Sequence, residues 1–146
     1  MKTIYGTIVF IHVVSAVIAI GPLFLLVPII KRLRSAESTS EEAFLNIIRV
    51  TIRIVMHAGH MLVVSGALLI LIGPWPWHTP WVIATLVVLL LSGVFLSTGF
   101  TRVLRNYNEP GFNKESILSR LNRTSWIYIA LMLIMLWLMV QKPILW

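Results

Sequence analysis

The chain has 146 residues, of which 58% are hydrophobic and only 12% are charged, and its mean hydropathy is +0.92. A water-soluble domain has about 25% charged residues, because polar groups must cover its surface. The composition therefore excludes an ordinary soluble domain, and the absence of cysteine excludes disulfides, thiolate metal sites and iron–sulfur clusters.

Four apolar runs without Asp, Glu, Lys or Arg are long enough to cross a bilayer as helices. Crossing takes about 20 residues. They cover about residues 4–30, 54–73, 81–100 and 124–140. The first run is too long for the apolar part of a signal peptide, and a basic cluster follows it rather than precedes it, so we expect it to be retained. Short connections between the runs predict one all-α domain over residues 1–146, an antiparallel four-helix bundle in the membrane.

Local signals place the helix ends. The hydroxyl residues 38–40, followed by Glu41 and Glu42, predict that the second helix begins near Glu41 and ends near Gly73. The segment 106–111 reads Asn-Tyr-Asn-Glu-Pro-Gly, which is typical of a turn. Asn113 is then placed to cap a short helix that leads into the fourth span.

Basic residues concentrate in two of the connections. Ten of the twelve lysines and arginines lie between the first and second or between the third and fourth runs. This positive-inside pattern predicts that both connections face the cytoplasm of a bacterium, that the chain spans its inner membrane, and that both termini lie outside. It accounts for the net charge of +7 without a nucleic-acid partner. The tryptophans of residues 75–81 suit the outer headgroup region, and His78 is predicted to lie there too.

Histidines are the main candidates for chemistry, because no acid lies in any span. His12 lies in the first span, whereas Arg49, Arg53, His57 and His60 form one stripe on the second helix at spacings of three and four. Imidazoles from facing helices are typical axial ligands of haem b, and arginines pair with its propionates. We therefore predict a haem b site with His12 and His60 on the metal, His57 as the alternate ligand, and Arg53 and Arg49 as propionate partners. In the alternative, the histidines only hydrogen-bond between helices and the arginines extend to the headgroups.

Depth in the membrane offers a second ligand pair. At about 1.5 Å per residue, His12 lies roughly 13 Å below the outer end of its span and His60 roughly 20 Å below the outer end of its own. Met132 in the fourth span is matched in depth to His12, which gives a His/Met pair as the alternative. Thioether and imidazole groups also favour copper(I), which makes copper the alternative metal. The methionines concerned are Met56, Met61, Met132, Met135 and Met139.

Four short motifs spread along the chain carry a family resemblance. They are Ile11-His-Val-Val-Ser-Ala16, Arg53-Ile-Val-Met56, Arg120-Leu-Asn-Arg123 and Val140-Gln-Lys-Pro143. The chain resembles the HemJ-type protoporphyrinogen oxidases and the related CopD-like four-helix membrane proteins. The resemblance implies haem b, with His12 as a ligand. The HemJ pattern also has a lysine and a Tyr-His pair in the third helix, whereas residues 81–100 here contain neither.

The function we predict is electron transfer or haem handling by a haem b-binding membrane protein. Three alternatives remain open: an oxidase of protoporphyrinogen that passes electrons to a quinone, a copper transport or tolerance protein, and a cofactor-free accessory subunit of a larger complex. The expected partners are the lipid bilayer and a quinone or porphyrin. Gly93 and Ser97 form a small-xxx-small pair, which predicts a homodimer through the third helix.

Overall fold

The computed structural model describes residues 2–74, 76–101 and 113–142, and these residues form four long helices. They are α1 (Lys2–Arg34), α2 (Ser38–Ile72), α3 (Pro80–Leu96) and α4 (Lys114–Gln141), and α3 continues into a π-helical turn at Ser97–Thr101. Each helix, α3 with most of its π-turn, is long and apolar enough to cross a membrane. The predicted all-α class and the four candidate spans are thereby confirmed.

The helix ends agree with the sequence at one place and differ at another. Asn113 caps α4 as predicted, because its side chain accepts a hydrogen bond from the Glu115 N–H at 3.0 Å. α4 then runs unbroken to Gln141, so the short helix and the fourth span are one element. α2 begins at Ser38, three residues before the predicted start near Glu41, because the Glu37 carbonyl already accepts from the Ser40 and Glu41 N–H groups. The predicted turn at 106–111 lies outside the described residues.

The packing of the helices is uneven. α2 packs mainly against α1, α1 also packs against α4, and α4 packs against α3 and the π-turn. The contact between α1 and α2 uses buried aliphatic positions at helical spacing. These include Ala19, Leu23, Leu26 and Ile30 on α1, and Ile48, Ile52, Val55 and Leu62 on α2. Along its opposite face, α2 presents exposed side chains in the part of the chain that the structure describes.

The π-helical turn brings the end of α3 close against α4. A Cβ added at Gly99 would lie only 2.6 Å from the Thr124 Cγ2, so any larger residue here would force Thr124 or the helix to shift. Phe100 is fully buried and meets the Tyr128 ring edge to face, with the ring centroids 6.2 Å apart. These contacts anchor the C-terminal end of α3.

Two ion pairs join three helix ends on one side of the bundle. The Arg34 guanidinium lies 2.8 Å from the Glu115 carboxylate, and the Lys114 ammonium pairs with Glu41. The end of α1 and the starts of α2 and α4 therefore lie together. Because these side chains are partly exposed, each pair contributes less than about 1 kcal/mol to stability.

Candidate functional site

A cavity of about 320 Å³ lies at the other end of the bundle, where α1 and α3 begin and α2 and α4 end. All four helices and the segment before α3 contribute to its wall, which is mostly aliphatic. We call it the His12 cavity. The side chains that bring polar groups or aromatic rings to the wall are Tyr5, His12, Trp77, Trp81, Thr85 and Lys142.

A hydrogen-bond chain fixes the His12 ring. The His12 Nδ1 lies 3.0 Å from the Ser65 Oγ, and that hydroxyl lies 2.6 Å from the Met61 carbonyl oxygen and 3.2 Å from that of Leu62. Because the single hydroxyl proton goes to a carbonyl of the preceding turn, the Ser65 oxygen accepts from the His12 Nδ1–H. In the neutral form of the ring with its proton on Nδ1, the lone pair lies on Nε2, which is then the nitrogen that can bind a ligand.

Gly66 gives the His12 ring its space against α2. A Cβ added at Gly66 would lie 3.1 Å from the His12 Cε1 and 3.6 Å from the Nδ1. The first of these distances is shorter than an ordinary van der Waals contact. Ser65 and Gly66 therefore act together, since Ser65 hydrogen-bonds the imidazole and Gly66 leaves room for it beside the helix.

Sulfur and a cation lie in the same wall as His12. Met135 and Met139 of α4 line the His12 cavity, as does Lys142, whose Nζ lies 5.9 Å from the Trp81 ring centroid. That distance is within cation–π range. The cavity thus combines one imidazole, two thioethers and one ammonium group in an apolar surround.

Met132, the predicted depth-matched partner, lies in the core and not among the residues that line the His12 cavity. It is 2% exposed. Among the other methionines of the copper hypothesis, Met56 packs against the core and Met61 is half exposed on α2. The five sulfurs are therefore distributed over different environments.

The structure does not bring His60 together with His12. The His60 side chain is exposed on α2, and it is not among the residues that line the His12 cavity. The ring of His12 meets α2 at Ser65 and Gly66, which is five to six residues, or about 8 Å, further along the helix. The two histidines are thus separated both along α2 and around it.

The remaining stripe residues share the exposed face with His60. His57, Arg53 and Arg49 are all exposed, and the ring centroids of His57 and His60 lie 6.4 Å apart. The predicted stripe on one helix face is therefore present. It points away from the core, because the α2 residues buried against α1 lie on the opposite face.

Sequence reasoning missed several residues of the His12 cavity. It gave Ser65, Gly66, Trp81 and Lys142 no contact with His12 or with a ligand. An adjacent serine and glycine inside a span is a usable signal, because it offers a hydroxyl and a close approach at one level. Comparisons with protein-family models, with curated proteins and with solved structures find no match to this chain.

Proposed function

We propose that this chain is a membrane protein that binds haem b in the His12 cavity, with the His12 Nε2 as an axial ligand and with electron transfer or haem handling as its role. The hydrogen bond between Ser65 and the His12 Nδ1 carries the proposal. Histidines that bind a metal almost always donate their other ring N–H to a second group, which fixes the tautomer and the ring orientation. Ser65 fills that position for His12.

The donor set supports a revised ligand pair. Met135 and Met139 share the His12 cavity with His12, whereas His60 and Met132 do not line it. We therefore propose a His/Met pair. In this pair Met135 or Met139 is the second ligand, in place of His60 and Met132. A bound haem supplies one-electron transfer, and methionine ligation raises its potential.

Charge in the wall supports a carboxylate-bearing ligand. Lys142 lies in the wall of the His12 cavity, and an ammonium group binds a carboxylate through charge-assisted hydrogen bonds. Arg53 and Arg49, the predicted propionate partners, do not line this cavity. We therefore assign the propionate contact to Lys142.

A quinone is the second candidate ligand, and the cavity volume favours it. Ligand pockets are roughly 300–1,000 Å³, so about 320 Å³ is at the small end of the range and suits a single ring. The His12 Nε2 would accept a hydrogen bond from a quinol hydroxyl. A porphyrin requires the wall to widen, and Trp77, which is 53% exposed, is a side chain with room to move.

We also propose the predicted orientation, an antiparallel bundle with both termini outside the inner membrane. The helix ends that the two ion pairs join carry basic residues, which supports this orientation. Basic residues concentrate on the cytoplasmic side of inner-membrane proteins. Single cysteines suit the test in this cysteine-free chain. Labels at Ser35 and Asn113 should resist an impermeant reagent in intact cells, and a label at His78 should react. Labelling of Ser35 from outside would reverse the orientation.

An absorption spectrum of the purified protein, after haem is supplied, tests the main proposal. We expect a Soret band and sharp reduced α and β bands from the parent, and loss of haem from His12→Ala. His78→Ala is the matched control, because this exposed histidine lies in the segment before α3, outside the cavity wall. A colourless parent, or a His12→Ala variant that keeps full haem, overturns the proposal.

Further variants separate the ligand pairs and the rival functions. Met135→Leu or Met139→Leu should abolish the six-coordinate spectrum, while His60→Ala should preserve it. The reverse result would restore the pairing of His12 with His60. Quinone extracted from a haem-free parent but not from His12→Ala supports the second candidate. Bound copper favours the copper alternative, and a protein with no cofactor at all favours an accessory subunit.

A further inference from the structure

The exposed face of α2 carries polar groups at a depth where a membrane helix normally presents only apolar ones. His57 and His60 are exposed there, together with Val64, which is 57% exposed. Polar side chains that face hydrocarbon are costly, and they usually pair with one another or face a protein interior. These groups lie opposite the α2 residues that pack against α1, so the bundle itself does not cover them. We call this surface the His57/His60 face.

We propose that His57 and His60 form half of a site for a divalent ion of the Zn²⁺ class, and that the same pair from a second copy of the chain completes it. Their rings already lie side by side, with centroids 6.4 Å apart and planes inclined at 67°. Imidazole is a preferred ligand of zinc, copper and nickel. Structural zinc sites almost always have four ligands, so one chain supplies two of the four.

A second copy fits this half-site better than any group among the described residues of the same chain. No third histidine or carboxylate among the described residues joins His57 and His60 in a metal-binding group. A two-fold interface places the same surface on both sides, which brings an identical histidine pair opposite the first. The metal ion supplies the attraction between the two histidine pairs. The dimer should therefore depend on the metal.

The two rings need only a small movement to share one ion. No described heavy atom lies within 4 Å of a Cβ added at Gly59, so no described helix of the same chain packs against the residue between them. Zn–N bonds are about 2.0–2.1 Å, so two rings on one ion must be about 1 Å closer than they are here. Both side chains are exposed and can rotate by this amount.

The charge of Arg53 does not prevent metal binding. Arg53 lies one turn before His57, nearer the end of α2 at which Glu41 forms its ion pair. Its long side chain can extend to the headgroups. The inference is also independent of the His12 cavity, which lies on the other face of α2. Protein purified without haem can therefore be used to test this inference.

Zinc titration of the purified full-length protein in detergent is the first test. We expect one tightly held Zn²⁺ for every two chains and a doubling of the protein mass, with no change on adding Mg²⁺, which prefers oxygen ligands. His57→Ala and His60→Ala should each abolish both effects, whereas His12→Ala and His78→Ala should retain them. A parent that stays monomeric with Zn²⁺, or dimerises equally in the His57 and His60 variants, overturns the proposal.

Disulfide crosslinking in membranes tests which face forms the dimer, without relying on histidine variants. Val64→Cys lies on the His57/His60 face, and Leu90→Cys lies on α3, where Leu90 is 70% exposed one turn from Gly93. Zn²⁺ should promote crosslinking at Val64 at least severalfold and leave Leu90 unchanged. Crosslinking at Leu90 alone would overturn this site and favour the dimer that Gly93 and Ser97 predict.

Discussion

A histidine lies against each of the two faces of α2, but in different surroundings. The face against α1 presents Ser65, which hydrogen-bonds the His12 ring, and Gly66, which leaves room for it. The opposite face presents His57 and His60, whose rings contact each other and no element of the core. In a helix surrounded by lipid, therefore, the role of a histidine depends on the face it occupies, because only a packed neighbour can orient the ring.

Replacing the two glycines of α2 by leucine should give the largest contrast. Gly66→Leu fills the space that the His12 ring occupies, so α1 and α2 must separate at a cost of about 1–3 kcal/mol or more. Gly59→Leu meets open space and should be neutral or stabilising, since glycine is a poor helix former. Reversible unfolding in mixed micelles measures both. Equal losses would show that the His12 ring does not lie against Gly66.

Truncation of apolar side chains on the two faces should give the next largest contrast. Leu62 is 2% exposed, on the face of α2 that packs against α1, so Leu62→Ala should destabilise the fold by about 2 kcal/mol. This is the low end for a core leucine, because lipid also solvates the leucine side chain when the helices separate. Met61 is 51% exposed, so Met61→Ala should cost well under half as much. The same unfolding assay compares them. A larger loss at Met61 would mean that a partner covers the His57/His60 face in the purified protein.

Removal of the Ser65 hydroxyl should have a moderate and specific effect. Ser65→Ala leaves the His12 Nδ1–H without its acceptor, at a cost of about 1 kcal/mol, and should weaken haem affinity about 10- to 100-fold. Ser92→Ala is the matched control, because the Ser92 hydroxyl also donates to a carbonyl of the preceding turn but is not bonded to His12. Haem titration of both variants checks this. Equal affinities would remove Ser65 from the site.

Removal of an exposed imidazole should have the smallest effect in the absence of metal. His57→Leu should change the free energy of unfolding by less than about 0.5 kcal/mol in metal-free buffer, because it takes away no contact with the core. Added Zn²⁺ should then stabilise the parent but not the variant, since only the parent binds the ion. A marked loss without metal would show that His57 already has a structural partner.

The sequence predicted four apolar helices of sufficient length, but it did not predict which face of α2 packs against α1. Uncharged runs identify membrane helices because solvation by lipid acts on each segment separately, and Asn113 is a cap because its side chain bonds two residues away. The stripe of Arg53, His57 and His60 was also correct as a stripe. The spacing could not predict whether this stripe faces α1 or lipid, because the residue spacing is the same in both cases.

The sequence by itself determined four apolar helices, their approximate ends and a charge distribution that favours one orientation in a membrane. These properties depend on near neighbours in the chain and on the solvent. The tertiary structure alone decided that His12 meets Ser65 and Gly66, that Met135 and Met139 share its cavity, and that His60 faces away. The physical reason is that α2 packs against α1 along only one face, and the choice of that face depends on side chains far apart in the sequence, such as His12 and Ser65.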